Sequence, residues 1–230
     1  MLAYNEALTI EKIVSEYYSD ILLKLPQGSE FILYLDKPTD ATPKIAVKLK
    51  KKLPKLSVFL AEKNLGYAKA MRAALAQTKN DLIFYSDASG KHQAKDFWQL
   101  LSKIKQADIV TGQRSNRSDP FVRQSVSFCS QLLTVSLFQT PFFDYNAGFK
   151  LMRRDIITLI VPQIRYTKQS FSTELIVRSL KKGFRVIAVP VLFRDRKIQG
   201  QGTNYKQLPS IVFNNARGLF LLWFELVWRI

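Results

Sequence analysis

The chain has 230 residues, 47% hydrophobic and 23% charged, enough apolar material for one substantial core. Its 35 Lys and Arg against 18 Asp and Glu leave a net charge of +17, which favours an anionic partner: nucleic acid, an anionic membrane surface or a phosphorylated substrate. One cysteine, Cys129, excludes an internal disulfide framework, and one histidine, His92, excludes His-rich zinc patterns and a Ser/His/Asp triad logic.

Cys129 is expected to be a small buried hydrophobe, in a reducing compartment. The N-terminus runs straight into Asn5 and Glu6 without a basic start and apolar core, so no signal peptide is expected. No stretch of about 20 uninterrupted apolar residues exists, so no spanning helix is expected.

Met1 to Tyr4 reads as the last residues of a strand, a truncated first strand. Asn5 is expected to cap a helix in which Ile10, Ile13, Val14, Tyr17, Ile21 and Leu25 recur at helical spacing, to about Lys24. Pro26, Gln27 and Gly28 break it. Phe31 to Leu35 is a strand ending on Asp36. Pro43 suits a helix first turn, with Ile45, Leu49 and Leu53 following until Pro54. Leu56 to Leu60 is the next strand; Asn64 to Gly66 is a turn, and Ala68 to Gln77 an alanine-rich helix. Leu82 to Tyr85 is a run of β-formers that ends on Ser86 and Asp87, followed by Ala88, Ser89 and Gly90.

Asp96 to Lys105 is a helix, Asp108 to Gly112 a strand, and Ser115 to Pro120 a polar loop. Phe121 to Phe138 is a long helix and Ala147 to Met152 a strand. Asp155 to Val161 is helical until Pro162. Ser172 to Lys182 is a helix stopped by Gly183, and Arg185 to Phe193 a strand. Arg194 to Lys206 is a polar loop, and Leu208 to Ile230 is helical. Strands alternate with helices over the first 115 residues, which predicts right-handed crossovers and a mostly parallel α/β sheet flanked by helices. The chain divides into one domain, 1–207, and an amphipathic C-terminal helix, 208–230. Trp223 and Trp228 with Arg217 and Arg229 suit that helix to a membrane interface.

Four strands deliver polar residues at their carboxyl ends: Tyr4 to Glu6, Asp36, Glu62 to Asn64, and Asp87 to Ser89. In a parallel sheet these converge on one edge, where α/β proteins bind nucleotide-type ligands. The glycines make neither G-x-G-x-x-G nor a P-loop, which disfavours a dinucleotide dehydrogenase or an ATPase. A phosphate here must be met by a metal or by Arg and Lys. Arg114, Arg117 and Arg123 bracket one polar loop, and Arg194, Arg196 and Lys197 open another. No interleaved aromatic and basic platform is present, so nucleic acid is not expected.

The ordered motifs resemble family-2 glycosyltransferases. Ala3-Tyr4-Asn5-Glu6 resembles the PAYNE start, with Leu2 where proline is usual. Asp36 to Thr42 looks like DDGSTDGT, and Asn64-Leu65-Gly66 with Ala68 like the N-x-G-x-G/A helix start. Asp87 to His92 is similar to DADGQH, Asp108 to Arg114 to the strand ending in G-S-R, and Asp144 to Lys150 to D-x-x-S-G-F-K. Phe171 to Glu174, Gly183 to Pro190, Phe193 and Arg196 resemble the closing F-x-x-E, G, V-P-V-x-F, R set. The nearest branch looks like dolichol- or polyprenyl-phosphate sugar synthases.

The resemblance implies a GT-A fold, a nucleotide-diphospho-sugar donor, inversion at the anomeric carbon and a polyprenyl phosphate acceptor, at the cytoplasmic face of a membrane. Carried over residue by residue, Ala3, Tyr4, Glu6, Asp36, Asn64, Gly66, Asp87, Ser89, Lys91 and Arg196 would bind the donor. Arg114, Arg123 and Ser127 would face the acceptor phosphate, with Asp87 and Arg123 as the catalytic pair. A divalent cation, Mg or Mn, would sit at Asp87 and Ser89. The second acid of D-x-D is here Ser89, and the usual glutamine is Lys91. Metal binding is therefore expected to be weakened, with Lys91 taking part of the diphosphate charge. The alternatives are transfer to a polysaccharide or glycolipid, and a donor-binding scaffold without turnover.

Overall fold

The computed structural model describes residues 1–115, 121–141, 144–168, 170–194 and 208–228. Three strands, β1 (Leu2–Ala3), β2 (Phe31–Leu35) and β3 (Leu56–Leu60), pair in parallel in the order β1-β2-β3. Four more, β4 (Leu82–Ser86), β5 (Ile109–Ser115), β6 (Phe149–Arg153) and β7 (Val186–Leu192), pair in the order β4-β6-β5-β7. A parallel bridge from Leu2 to Asp87 joins the two sets, so the sheet runs β3-β2-β1-β4-β6-β5-β7.

The mostly parallel sheet expected from the alternating pattern is present, with one exception. β6 enters antiparallel between β4 and β5. A short apolar run reads alike in both directions, so only its long-range partners decide its sense.

Residues along each strand alternate between two packed faces, as the pleat requires. On one face lie α1 (Ile10–Asp20), α2 (Thr42–Lys52) and α4 (Phe97–Lys103). Ile13, Tyr17, Phe97 and Leu100 there meet Val110, Phe149 and Leu151. On the other lie α3 (Tyr67–Ala76), α6 (Phe171–Lys181) and α7 (Leu208–Trp223). Met71, Leu75, Leu175, Leu219 and Leu222 there meet Ile83, Tyr85, Ile109 and Met152. α5 (Phe121–Phe138) packs against α7 and drives Phe138 fully into that second core.

Three local expectations are corrected. The first helix begins at Ile10, not at Asn5: Asn5 takes φ +50° and spends its carboxamide on Thr39, which leaves nothing to cap a helix. β5 runs on to Ser115 because β7 pairs with it along its whole length. Cys129 is exposed, on α5, and lines the cavity shared with Arg114 and Asp144. Residues 116–120 and 195–207 of the two basic loops lie outside the described residues.

An apolar cavity of about 620 Å3 opens between the amino-terminal halves of β2 and β4, lined by Leu22, Ile32, Met71, Leu82 and Phe84 among others. Its lining reaches along β4 as far as Ser86.

Candidate functional site

The parallel run β2-β1-β4 places Asp36 and Asp87 one after the other along the carboxyl edge, about two strand spacings, roughly 10 Å, apart. Ala3, Tyr4 and Glu6 fill the position between them. Ala3 is buried and its carbonyl accepts from the Asp36 amide at 3.1 Å; Tyr4 is exposed on the rim. The loop after β1 is clipped to the loop after β2. Asn5 Oδ1 accepts from the Thr39 amide at 2.7 Å, and the Glu6 amide donates to Thr42 Oγ1 at 2.8 Å. Asp40 accepts from the amides of Ala7 and Thr42 at 3.0 and 2.9 Å. Burial works against its charge, but these bonds outweigh that and hold its carboxyl below the usual range.

Asp36 is buried, and both its carboxylate oxygens are engaged. They accept from the amides of Leu65 and Gly66 at 2.7 and 3.1 Å, and Asn64 Nδ2 donates to the Asp36 carbonyl at 3.2 Å. Gly66 precedes α3 with φ +75°, a conformation glycine adopts without strain. Asp36, Asn64 and Gly66 are therefore brought together, and Asp36 acts on the turn as much as on any ligand.

Asp87 sits at the tip of β4, with its amide donating to the Gly148 carbonyl at 3.1 Å. Its Oδ1 accepts from Ser89 twice, from the amide at 3.2 Å and from Oγ at 2.5 Å. Its Oδ2 lies where a Cβ on Gly148 would stand, 2.5 Å away. Glycine at 148 is thus what leaves room for this carboxylate.

Behind Asp87 is a buried ionic group that the sequence did not assign as one. Arg114 donates through Nη2 to Asp144 Oδ1 at 2.7 Å and through Nε to Oδ2, a two-pronged pair that is nearly buried. Lys150 is fully buried in the centre of β6 and donates to the Ala147 carbonyl. Burial pulls its ammonium down to about 7, with Asp144 and Asp87 opposing and Arg114 adding to the fall. His92 is buried between Phe149, stacked at 5.0 Å, and Phe193, edge-on at 5.5 Å. Burial lowers its proton affinity, Arg114 and Lys150 add to the loss, and Asp87 and Asp144 oppose it. The signals available beforehand were a lysine inside an apolar strand, Phe149 to Met152, and an acid six residues before it.

Arg114 and Asp144 also line a second cavity of about 620 Å3, at the carboxyl end of β5 under α5, together with Gln113, Gln124, Ser125 and Gln131. Ser127 is on α5 but is not among its lining residues; its Oγ accepts from Gln131 at 3.1 Å. Arg196 and the side chain of Arg123 lie outside the described residues.

The residues present do not fit a hard divalent cation. Such an ion wants several carboxylate oxygens. Asp87 is the one acid of the motif, its partner Ser89 is bonded to it, and Lys91 follows. Among the described residues no group of three or more His, Cys, Asp or Glu gathers to hold a metal.

Both the sequence and the fold match known proteins. The family model "Glycosyl transferase family 2" matches residues 1–160. Dolichyl-phosphate beta-glucosyltransferase ALG5C of Trichomonas vaginalis is 26% identical over 84% of this chain and 62% of its own length. Dodecaprenyl-phosphate galacturonate synthase of Rhizobium johnstonii is 28% identical over 67% of this chain and 46% of its own. The chain thus spans less than two thirds of either relative. Glucosyl-3-phosphoglycerate synthase of Mycobacterium tuberculosis, solved with Mn2+, UDP and phosphoglyceric acid, superposes with a TM-score of 0.73. That match is 15% identical and covers 96% of this chain and 76% of that one. The fold is the GT-A arrangement.

Proposed function

Because the chain belongs to glycosyl transferase family 2, we propose that it moves a hexose from a nucleotide-diphospho-sugar to a polyprenyl phosphate at a membrane surface. One observation carries this reading. The polar tips of β1, β2 and β4 lie in a row along one sheet edge, and Asp87 at the end of that row stands beside Gly148, just before β6, whose other neighbour β5 carries Arg114 into the cavity under α5. A donor on the first and an acceptor in the second would meet at Asp87. The relatives that act on dolichyl and dodecaprenyl phosphates support the acceptor class.

On this reading Tyr4, Glu6 and the turn held by Asp36 receive the nucleoside. The acceptor phosphate oxygen is already an anion near neutral pH. It attacks the anomeric carbon as the bond to the donor diphosphate breaks, the configuration inverts, and the nucleoside diphosphate leaves. No proton has to be removed, so positioning and charge neutralisation matter more than a general base. Arg114, aligned by Asp144, Arg123 at the start of α5 and the cations of the two basic loops, Arg196 among them, supply positive charge to the phosphates.

Membrane contact is supported by exposed apolar side chains on adjoining helices: Phe121, Phe128 and Leu132 on α5, and Phe213, Phe220 and Leu221 on α7. These faces are proposed to dock on the membrane surface; no helix among the described residues is long and apolar enough to cross a membrane. The test is a radiolabelled-donor assay with vesicles that contain polyprenyl phosphate. The expected product is a chloroform-soluble polyprenyl phospho-sugar. Label that enters only polysaccharide, or no label transfer with any nucleotide sugar, would overturn the reading.

A further inference from the structure

The donor edge carries a mismatch that the fold resolves in an unexpected place. Ser89 stands where the motif has its second acid, a neutral hydroxyl in place of a carboxylate, and its hydroxyl and amide both donate to Asp87 Oδ1. Asp87 Oδ2 occupies the space beside Gly148 that a Cβ there would need. A cation there would be offered one part-used carboxylate, with an ammonium two residues away.

The same ammonium is held in a defined place. Lys91 Nζ lies 5.2 Å from the centroid of the Phe193 ring, and Arg114 Cζ lies 5.4 Å from the same centroid. Both distances are within the cation–π range of about 6 Å. The ring itself is fixed from several sides. Phe193 pairs with His92 in an antiparallel bridge and rests edge-on against its ring. The next residue, Arg194, donates its amide to the Lys91 carbonyl at 2.7 Å and its guanidinium to Glu16 at 2.9 Å. The end of β7 is thereby sewn to the turn after β4. The ring thus gathers the ammonium of Lys91 and the guanidinium of Arg114, the latter paired with Asp144, at the end of β7, where an anion of two or more charges can accept from both.

We propose that Lys91, set on the ring of Phe193 beside Arg114, replaces the divalent cation in neutralising the donor diphosphate, so that donor binding by this chain is independent of metal. Phe193 is the positioning residue of that arrangement. The inference rests on the donor-site reading above and goes further by naming what meets the diphosphate.

Calorimetry of the full chain with UDP, GDP, CDP, ADP and dTDP, each in EDTA and in MnCl2, tests it. The tightest binder is expected to have the same Kd in both buffers to within about twofold. Lys91→Met is expected to weaken it about tenfold in EDTA, the loss of one charge-assisted bond. Phe193→Leu is expected to weaken it about threefold, and Phe193→Tyr, which keeps the π face, to restore it. Ser89→Asp is expected to weaken binding in EDTA and to recover it with MnCl2. Wild-type binding that needs Mn2+, or Lys91→Met binding equal to wild type, overturns the inference and leaves the donor site standing. No binding of any nucleotide in either buffer removes the donor site itself, and the inference with it.

Discussion

Asp87 is the residue on which the proposed site turns, and its environment is set by neighbours that the sequence does not place beside it. Gly148 is distant in the chain, yet it leaves the space for the Asp87 carboxylate and accepts its amide proton. Gly148→Ala is expected to push Asp87 off its position while the fold persists, since the clash is with one side chain. Turnover is then expected to fall by roughly 100-fold, the scale of a displacement of about 1 Å at a reacting centre. Unchanged circular dichroism with lost label transfer would show it; wild-type turnover would refute it. The polar tips Tyr4, Glu6, Asp36 and Asp87 were legible because each ends a run of β-formers. The Arg114–Asp144 pair was not, because nothing in the spacing of an arginine and an acid 30 residues apart announces a bond. Nor did the sequence distinguish a carboxylate that waits for a ligand from Asp36, whose oxygens already hold the turn before α3.

Among the elements, α6 and α7 show how local pattern and tertiary contact divide the work. Phe-x-x-Glu was visible as a motif, but its acid is structural. Glu174 is fully buried and accepts from the amides of Arg165, Tyr166 and Thr167, from Thr167 Oγ1, and from Arg178. Arg178, itself buried, also reaches Glu225 beyond the end of α7, at 3.0 Å. Glu225 interrupts an apolar helix in the sequence; in the structure it is the tie that binds that helix to the core. Burial opposes the Glu225 charge, yet bonds from Arg178, Tyr166 and Arg165 outweigh it and hold its carboxyl at about 2. The unfolded chain takes up that proton first, from about 4.5 downward. The stabilisation is therefore complete above pH 4.5 and is lost as pH falls toward 2. Urea melts of Glu225→Gln are expected to approach wild type as the pH drops through that window. Glu174→Gln leaves a buried guanidinium short of its partner and is expected to cost about 3–5 kcal/mol at neutral pH. A loss below 1 kcal/mol would mean water reaches Arg178.

For the whole molecule, the net charge of +17 and the apolar side chains exposed on α5 and α7 point to the same kind of surface. The charge attracts at long range and is screened by salt; the aromatics hold at contact. Flotation with vesicles of phosphatidylglycerol and phosphatidylcholine is expected to fall as NaCl rises. Phe213→Ser with Phe220→Ser is expected to lower it at every salt concentration. Binding that is indifferent to both would remove membrane docking from the account. Leu219 and Leu222 are buried on the opposite side of α7, so these substitutions spare the core.

Local chemistry reaches some of this protein and stops short of the rest. The chain alone determined the strands and helices, because hydrophobic period and turn residues act within a few positions. It also determined the parallel sense of the first four strands, because a helix between two strands carries the chain back to where it began. The ordered motifs, each weak by itself, identified the family. Only the tertiary structure decided that β6 runs against its neighbours and that Lys150 and Arg178 are buried. It alone decided that Lys91 and Arg114 share the ring of Phe193. Those facts depend on which surfaces meet across the sheet, and long-range burial and pairing of charge are set by partners that no local window contains.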